Sequence, residues 1–159
     1  MYTLSREMVP TRQHRSEACM ELRINGEEAD LSDFQADELA QAVLISLFSW
    51  RKSDADDGVK APKRQGWWGD TFAAVQGDRI GSRLWLLQRE KILPLTLQRA
   101  EAYANQALKW LIDDGRVEQI TVTAKRGAEA GQLDLQVVCF KRRGERAFDA
   151  VFKDVLNGV

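Results

Sequence analysis

The length and charge of the chain argue against several classes of protein. Its 159 residues suit one domain with a buried core, and hydrophobic residues make up 44% and charged residues 30% of it, as is ordinary for a globular protein. The formal net charge is -1. A charge so close to zero creates no overall field that would hold a polyanion, which argues against a general nucleic-acid-binding role.

The first predicted element is a short strand. Residues 1–18 are mostly polar and show no sustained period, so we interpret them as an extended or mobile N-terminal arm, and residues 19–159 as a single domain. Residues 20–24 alternate in character and precede Asn25-Gly26, which predicts a strand that ends in a tight turn.

A helix that runs to about Trp50 is predicted next. Either Asp33 or Asp37 can cap its N-terminus. Its apolar positions cover a wide face: Leu39, Ala40, Val43, Leu44, Leu47, Phe48 and Trp50. A helix with so wide an apolar face is expected to be mostly buried.

The composition changes between residues 53 and 66, where the sequence reads SDADDGVKAPKRQG. A segment so rich in charge, glycine and proline cannot bury enough apolar surface to order itself well. We therefore predict a long loop that is mobile over residues 53–62 in the isolated protein. The motif GWWGD follows at residues 66–70 and places two of the five tryptophans outside any helical or strand period.

Two more helices are predicted between residues 82 and 115. Ser82 can cap a short helix, residues 83–91, that Pro94 closes. Thr96 can cap a longer helix that stops at Gly115, a residue type suited to the left-handed end of a helix. The apolar residues of this helix recur at three and four positions: Leu97, Ala100, Ala104, Leu108 and Leu111. This is the clearest amphipathic helix in the chain.

The period then changes to two, which predicts an antiparallel hairpin with a turn at residues 126–131. Its apolar residues are Ile120, Val122, Ala124, Leu133, Leu135, Val137 and Cys139. A second charged turn surrounds Gly144, and residues 147–156 fit a strand or a helix; we favour a third strand with a short helical end. The predicted fold is α+β, with a small antiparallel sheet of three to four strands packed against two or three helices.

The sequence shows no catalytic, metal-binding or cofactor-binding constellation. The only histidine, His14, lies in the polar arm without a second ligand at metal-binding spacing. GxSxG and GxxxxGK[ST] motifs are absent, and residues 77–83, GDRIGSR, are interpreted as a turn that leads into a capped helix. We therefore expect no catalytic residues, no metal and no cofactor.

Two other functions stay open on the residues alone. Asp70 and Asp78 lie near tryptophans and could suggest the carboxylate pair of a glycoside hydrolase. Lys60, Lys63 and Arg64 precede the tryptophan pair, an arrangement that superficially matches a stacking platform for nucleic acid, but the neighbouring aspartates would repel phosphate. Both possibilities are weaker than the interpretation in which these residues have no catalytic or nucleic-acid-binding role.

The chain carries no recognised sign of export. Cys19 and Cys139 form no CxxC pair and are expected to be reduced thiols. The N-terminus lacks a long apolar h-region, so no signal peptide is expected. No apolar run approaches the ~18 residues that a membrane span requires. We expect synthesis and folding in the cytoplasm.

Three long motifs between residues 38 and 125 point to a known family. They read AVLISLFSWRKSDADDG, GWWGDTFAAVQGDRIGSRLWLLQREK and AEAYANQALKWLIDDGRVEQITVTA. In this order they resemble the Mu-type bacteriophage baseplate family known by its forty-sixth gene product. The resemblance covers a little over half of the sequence, whereas residues 1–18 and the C-terminal tail carry no comparable motif.

This resemblance implies a structural protein of a contractile tail, similar to wedge proteins that are sometimes labelled lysozyme-like. It implies multiple copies around the tail axis that connect baseplate wedges to the base of the tail tube and sheath. The implied partners are other wedge or hub proteins and tube or sheath proteins, without nucleic acid or membrane, and the implied location is the tail baseplate of the virion. A lysozyme-like peptidoglycan-degrading enzyme and a small nucleic-acid-binding module are the alternatives.

The GWWGD motif is the predicted partner-binding region. Glycines on both sides of Trp67 and Trp68 allow a sharp turn, so one ring can pack on Trp85 and the Trp110 helix while the other stays at the surface. Packing of both rings in the core is the alternative. Because Trp and Arg are enriched at binding hot spots, the predicted partner-binding residues are Trp67, Trp68, Asp70, Arg79, Arg83 and Trp85.

The two arginines of this set also have an internal interpretation. Arg79 and Arg83 could brace the loop through Asp70 or Asp78 instead of contacting another chain. The sequence does not decide between the two roles.

Overall fold

The computed structural model describes residues 22–24, 27–29, 37–57 and 80–157. These residues form an α+β fold, as predicted. The strands are β1 (Leu22–Ile24), β2 (Glu27–Ala29), β3 (Gln119–Arg126), β4 (Leu133–Phe140) and β5 (Arg146–Phe152). The helices are α1 (Glu38–Phe48) and α2 (Pro94–Asp113), with 3-10 helices at Ala55–Asp57, Leu84–Leu87, Arg142–Gly144 and Val155–Asn157.

The described strands form one antiparallel sheet in the order β2-β1-β5-β4-β3. Beyond the three to four predicted strands, β2 pairs with β1 so that Ile24 lies opposite Glu27. This register is the one that a two-residue turn at Asn25-Gly26 requires, although the turn and the predicted arm, residues 1–18, lie outside the described residues. The two short strands extend the sheet beside β5.

One face of the sheet packs against the helices. Alternate side chains of the three long strands are buried there: Val122, Ala124, Leu133, Leu135, Val137, Cys139, Phe148, Ala150 and Phe152. The predicted apolar face of α2 packs on this surface, with Leu97 partly buried and Ala100, Ala104, Leu108 and Leu111 fully buried. The periods of two and of 3.6 residues therefore predicted the core correctly.

The N-terminus of α2 corrects the predicted boundary between two helices. Pro94 begins α2 instead of closing the preceding element, because proline lacks an N–H that the first helical position does not use and its φ already suits a helix. Thr96 is buried inside the first turn, where its hydroxyl donates to the carbonyl oxygen of Lys91 at 2.8 Å. At the other end Gly115 has φ +70 and donates to the carbonyl oxygen of Ile112, so the predicted glycine stop is confirmed.

Helix α1 begins at the predicted cap. Asp37 Oδ1 accepts the N–H of Leu39 at 2.9 Å and that of Ala40 at 3.3 Å. The helix ends at Phe48, before the predicted end, because the chain then turns to run beside Ser82. As a result Trp50 is 45% exposed, not part of the buried face.

Two further predicted elements are present: one is shorter than predicted and the other is confirmed. The helix predicted at 83–91 is a 3-10 helix, Leu84–Leu87, and Ser82 Oγ accepts the N–H of Leu84 at 3.3 Å. The C-terminal segment is a strand followed by a short helical turn, as favoured from the sequence. Neither α1 nor α2 combines the length and apolar character that a membrane crossing requires.

Cys139 is a free thiol on the buried face of β4. Burial raises the pKa of this thiol to about 12, because an apolar environment penalises the thiolate. The prediction of a reduced thiol is consistent with this position; Cys19 lies outside the described residues.

Candidate functional site

The stretches of chain before and after residues 58–79 are hydrogen-bonded to each other. Residues 58–79 contain the GWWGD motif and lie outside the described residues. We call this junction, residues 49–57 and 80–83, the loop base. The N–H of Ser82 donates to the carbonyl oxygen of Ser49 at 2.9 Å, and the N–H of Arg51 donates to that of Ser82 at 3.0 Å. Ser82 Oγ donates to the carbonyl oxygen of Leu47 at 2.5 Å and is buried. The entry and the exit of the segment are therefore held side by side.

Gly81 allows this close approach. It has φ +98, and a Cβ added to it would lie 2.3 Å from the carbonyl oxygen of Ser49. A backbone atom cannot be moved aside as a flexible side chain can. The close contact and the left-handed conformation both require glycine at this position.

Arg83 binds two carboxylates, those of Asp54 and Asp57, in the acidic segment that precedes the GWWGD motif. Its Nη1 lies 2.9 Å from Asp54 Oδ2 and 3.0 Å from both carboxylate oxygens of Asp57. The Arg83 side chain is 15% exposed and that of Asp57 is 8% exposed, whereas that of Asp54 is 42% exposed. Within the loop, the N–H of Asp54 also donates to Asp57 Oδ2 at 2.7 Å. A guanidinium is suited to this role because its planar donors reach two acceptors at once.

The Arg83 guanidinium also contacts two residues of α2. Its Nε and Nη2 donate to Gln106 Oε1 at 3.2 and 2.9 Å. Its Cζ lies 4.6 Å from the ring centroid of Tyr103, within the range of a cation–π contact. Arg83 therefore connects the acidic loop to the helix that packs on the sheet.

Tyr103 also contacts the guanidinium of a second arginine, Arg99. Arg99 Nη2 donates to the Tyr103 hydroxyl at 3.1 Å, and Arg99 Nη1 lies 2.6 Å from Glu90 Oε1. The pKa of Arg99 is raised, chiefly by its hydrogen bond to Tyr103 and further by Glu90. The side chains of Arg99 and Glu90 are each about one third exposed, whereas the Arg83 side chain is 15% exposed.

Trp85 also contributes to the loop base. Its Nε1 donates to the carbonyl oxygen of Arg51 at 2.9 Å, and its ring is partly buried. Trp110 makes a comparable bond to α1, because its Nε1 donates to Ser46 Oγ at 2.9 Å. Both indoles therefore join elements that are distant in sequence.

The loop base contains an ion-pair cluster of Arg83 with Asp54 and Asp57, which we call the clamp. Asp54 and Asp57 each accept hydrogen bonds from Arg83, which holds the carboxylates in place as ion-pair partners. In the part of the chain that the structure describes, no group of three or more His, Cys, Asp or Glu residues could hold a metal ion. The arrangement is suited to positioning the chain on either side of it.

The structure places two of the predicted partner-binding residues. Arg83 and Trp85 lie in or beside the loop base, whereas Trp67, Trp68, Asp70 and Arg79 lie outside the described residues. Arg83 braces the loop internally through Asp54 and Asp57; Asp70 and Asp78, the predicted bracing partners, lie outside the described residues. A contact of Arg83 with a partner protein stays a prediction.

Residues 53–57, which belong to the segment 53–62 that is predicted to be mobile, have a defined conformation in the structure, and their mobility stays a prediction. Ala55–Asp57 form a 3-10 turn, and Ser53 is buried. Electrostatics contributes to this conformation, because the Arg83 guanidinium binds Asp54 and Asp57 and offsets part of the negative charge of the segment. Residues 58–62 lie outside the described residues.

Sequence reasoning missed Tyr103 and Gln106 as members of the site. Gln106 and the acidic pair are separated from Arg83 by 23 to 29 positions, so no local period connects them. The available signal was chemical: an acidic cluster, and an arginine that precedes a helix with a tyrosine. That signal identifies charge partners only once the fold places them together.

The sequence profile of the family described as "Phage protein GP46" matches residues 39–146, which include the loop base, α2 and the β3–β4 hairpin. The chain is 44% identical over 128 residues to "Baseplate protein gp46" of Escherichia phage Mu, covering 77% of this chain and 83% of that protein. It is 41% identical over 88 residues to "Mu-like prophage FluMu protein gp46" of Haemophilus influenzae, covering 55% of this chain and 58% of that protein.

Proposed function

The chain belongs to the phage protein GP46 family, and from this membership we propose that it is a structural component of a phage tail baseplate. The name of the phage Mu relative and its identity over most of the chain support this role. We propose further that the protein lies in the tail of the virion in multiple copies around its axis. There it would connect the baseplate wedge to the base of the tail tube and sheath.

The proposed activity is assembly without catalysis. The phage Mu relative is named as a baseplate protein, and the carboxylates of the loop base are bound to Arg83. The partners that fit this role are other wedge or hub proteins and tube or sheath proteins. A cell-wall zymogram of the purified chain would distinguish this role from a lysozyme-like activity, for which we expect no clearing.

The loop base is the observation that supports a partner surface next to it. Loops that carry binding residues are effective when a rigid scaffold positions them. The clamp of Arg83 on Asp54 and Asp57 fixes the chain on both sides of residues 58–79. We propose that Trp67, Trp68, Asp70 and Arg79 contact a neighbouring protein, with Arg83 and Trp85 at the edge of the same surface.

A sheet edge is the second proposed contact. The described sheet ends in β2 on one side and β3 on the other. On β3 the outward N–H of Ala124 already donates to Glu101 Oε1 at 2.9 Å, which covers part of that edge. We therefore propose β2, the other edge, as the one whose N–H and C=O groups pair with another chain.

The test of the first surface is a double variant, Trp67→Ala with Trp68→Ala. We expect a folded chain by circular dichroism, with a lower thermal midpoint because one of the rings is predicted to pack on Trp85, and a strong loss of the chain from purified tails when the variant complements a deletion. Ile45→Ala is the control, because it removes a 55% exposed apolar side chain of α1 that lies outside both the segment and the loop base. Normal tails from a folded double variant would remove the tryptophan pair from the interface.

A further inference from the structure

The first turn of α2 exposes three consecutive apolar residues. Leu93 is 53% exposed, Leu95 is 65% exposed, and Pro94 between them is also exposed. We call these three residues the leucine corner. Single exposed leucines are common on soluble proteins, but an exposed run of apolar residues is unusual unless it serves binding.

The leucine corner is held rigidly. The N–H of Leu93 donates to the carbonyl oxygen of Lys91 at 2.8 Å, and the hydroxyl of Thr96 donates to the same oxygen at 2.8 Å. The N–H of Leu97 donates to the carbonyl oxygen of Leu93 at 3.1 Å, and Pro94 restricts φ within the turn. A surface that is ordered before it binds loses little conformational entropy on association.

The residues at the start of α2 are not the ones that would stabilise the helix most. Leu93 occupies the N-cap position of α2 and makes no side-chain hydrogen bond, and the first turn carries no acidic residue. Helix α1 shows the favourable alternative, since Asp37 caps it with two hydrogen bonds. Serine or aspartate at position 93 would stabilise the helix. A local choice that works against stability is expected at functional positions.

Positive charge flanks the leucine corner. Arg89 and Lys91 are both exposed, and within the described part of the chain neither forms an ion pair. Glu90 between them is bound to Arg99. The complementary surface is therefore apolar at its centre and carries carboxylates at its rim.

We propose that the leucine corner inserts into an apolar pocket, rimmed by Asp or Glu, on a neighbouring protein of the tail. This contact rests on the proposed baseplate role, but it uses residues outside the GWWGD segment and the sheet edge. Leu93 and Leu95 supply the buried apolar contact, and Arg89 and Lys91 orient the approach.

The test replaces the apolar side chains without removing the helix. In the variant Leu93→Ser with Leu95→Gln, we expect an unchanged or raised thermal midpoint, because serine can cap α2. Incorporation of the chain into purified tails should fall by about tenfold or more, the scale expected for removal of binding anchors. The matched control is Ile112→Gln, which replaces a 40% exposed isoleucine at the other end of the same helix and should be incorporated normally.

Charge reversal tests the choice of partner chemistry. Arg89→Glu with Lys91→Glu should also lower incorporation, whereas Lys109→Glu, on an exposed part of α2, should not. If the wild-type chain is present in its tails and the leucine variant is incorporated to the same level, this contact is overturned and the baseplate role is left intact. Absence of the wild-type chain from tails would overturn both. Self-association of the purified wild type that the leucine variant abolishes would show that the occupant is a second copy and overturn the proposed partner.

Discussion

Arg83→Ala is expected to lower the free energy of unfolding by about 3 kcal/mol, because it leaves two carboxylates without their guanidinium partner. Asp57 is 8% exposed and loses most, whereas Asp54 is 42% exposed and can be solvated. The contacts with Gln106 and Tyr103 are lost in the same variant. Urea denaturation followed by circular dichroism measures the change.

The control for this prediction is Arg99→Ala. Its ion pair with Glu90 is about one third exposed on both sides, so its removal should cost under about 1 kcal/mol. A double-mutant cycle with Asp57→Asn gives the coupling directly: the two changes together should destabilise less than the sum of the single changes. Equal effects of Arg83→Ala and Arg99→Ala would show that the clamp does not hold the loop base.

Leu108→Ala should lower the free energy of unfolding by about 2–5 kcal/mol. Leu108 is fully buried on the face of α2 that packs on the sheet, so truncation removes apolar contacts and leaves a cavity. Leu95→Ala makes the same chemical change at a 65% exposed position of the same helix and should stay within about 0.5 kcal/mol of the wild type. An unchanged denaturation midpoint for Leu108→Ala would contradict the assigned core.

Periodicity predicted the elements that carry the core. In α2 the spacing of Leu97, Ala100, Ala104, Leu108 and Leu111 identified the buried face, and the alternation in β3 and β4 identified the other layer. Gly115 marked the helix end because its position requires a left-handed conformation. These features depend on neighbours close in sequence, so the sequence alone predicts them.

Elements fixed by distant contacts were harder to predict. Pro94 was interpreted as a stop, but its fixed φ also suits the first position of a helix, and only the preceding turn decides between the two. The short strand β2, with the sequence EEA, carries no alternation and exists through its pairing with β1. Asp54 and Asp57 are bound by Arg83, which lies 26 to 29 positions further along the chain.

The candidate site was predicted only in part. The resemblance identified the GWWGD region, and charge and aromatic character identified Arg83 and Trp85 as notable. The clamp could not be predicted, because charge alone does not reveal which carboxylates an arginine meets. The leucine corner was also missed, since Leu95 follows the apolar composition of α2 but lies on its exposed side.

We propose that this chain is a building block of the baseplate and binds its neighbours through the surface beside the loop base. The decisive experiment is electron cryomicroscopy of purified tails from the phage or prophage that encodes the chain. We predict density for the α+β domain in several copies around the tail axis at the baseplate, with residues 58–79 in contact with an adjacent chain. Tails that lack the protein, or a baseplate in which residues 58–79 face solvent in every copy, would contradict the account.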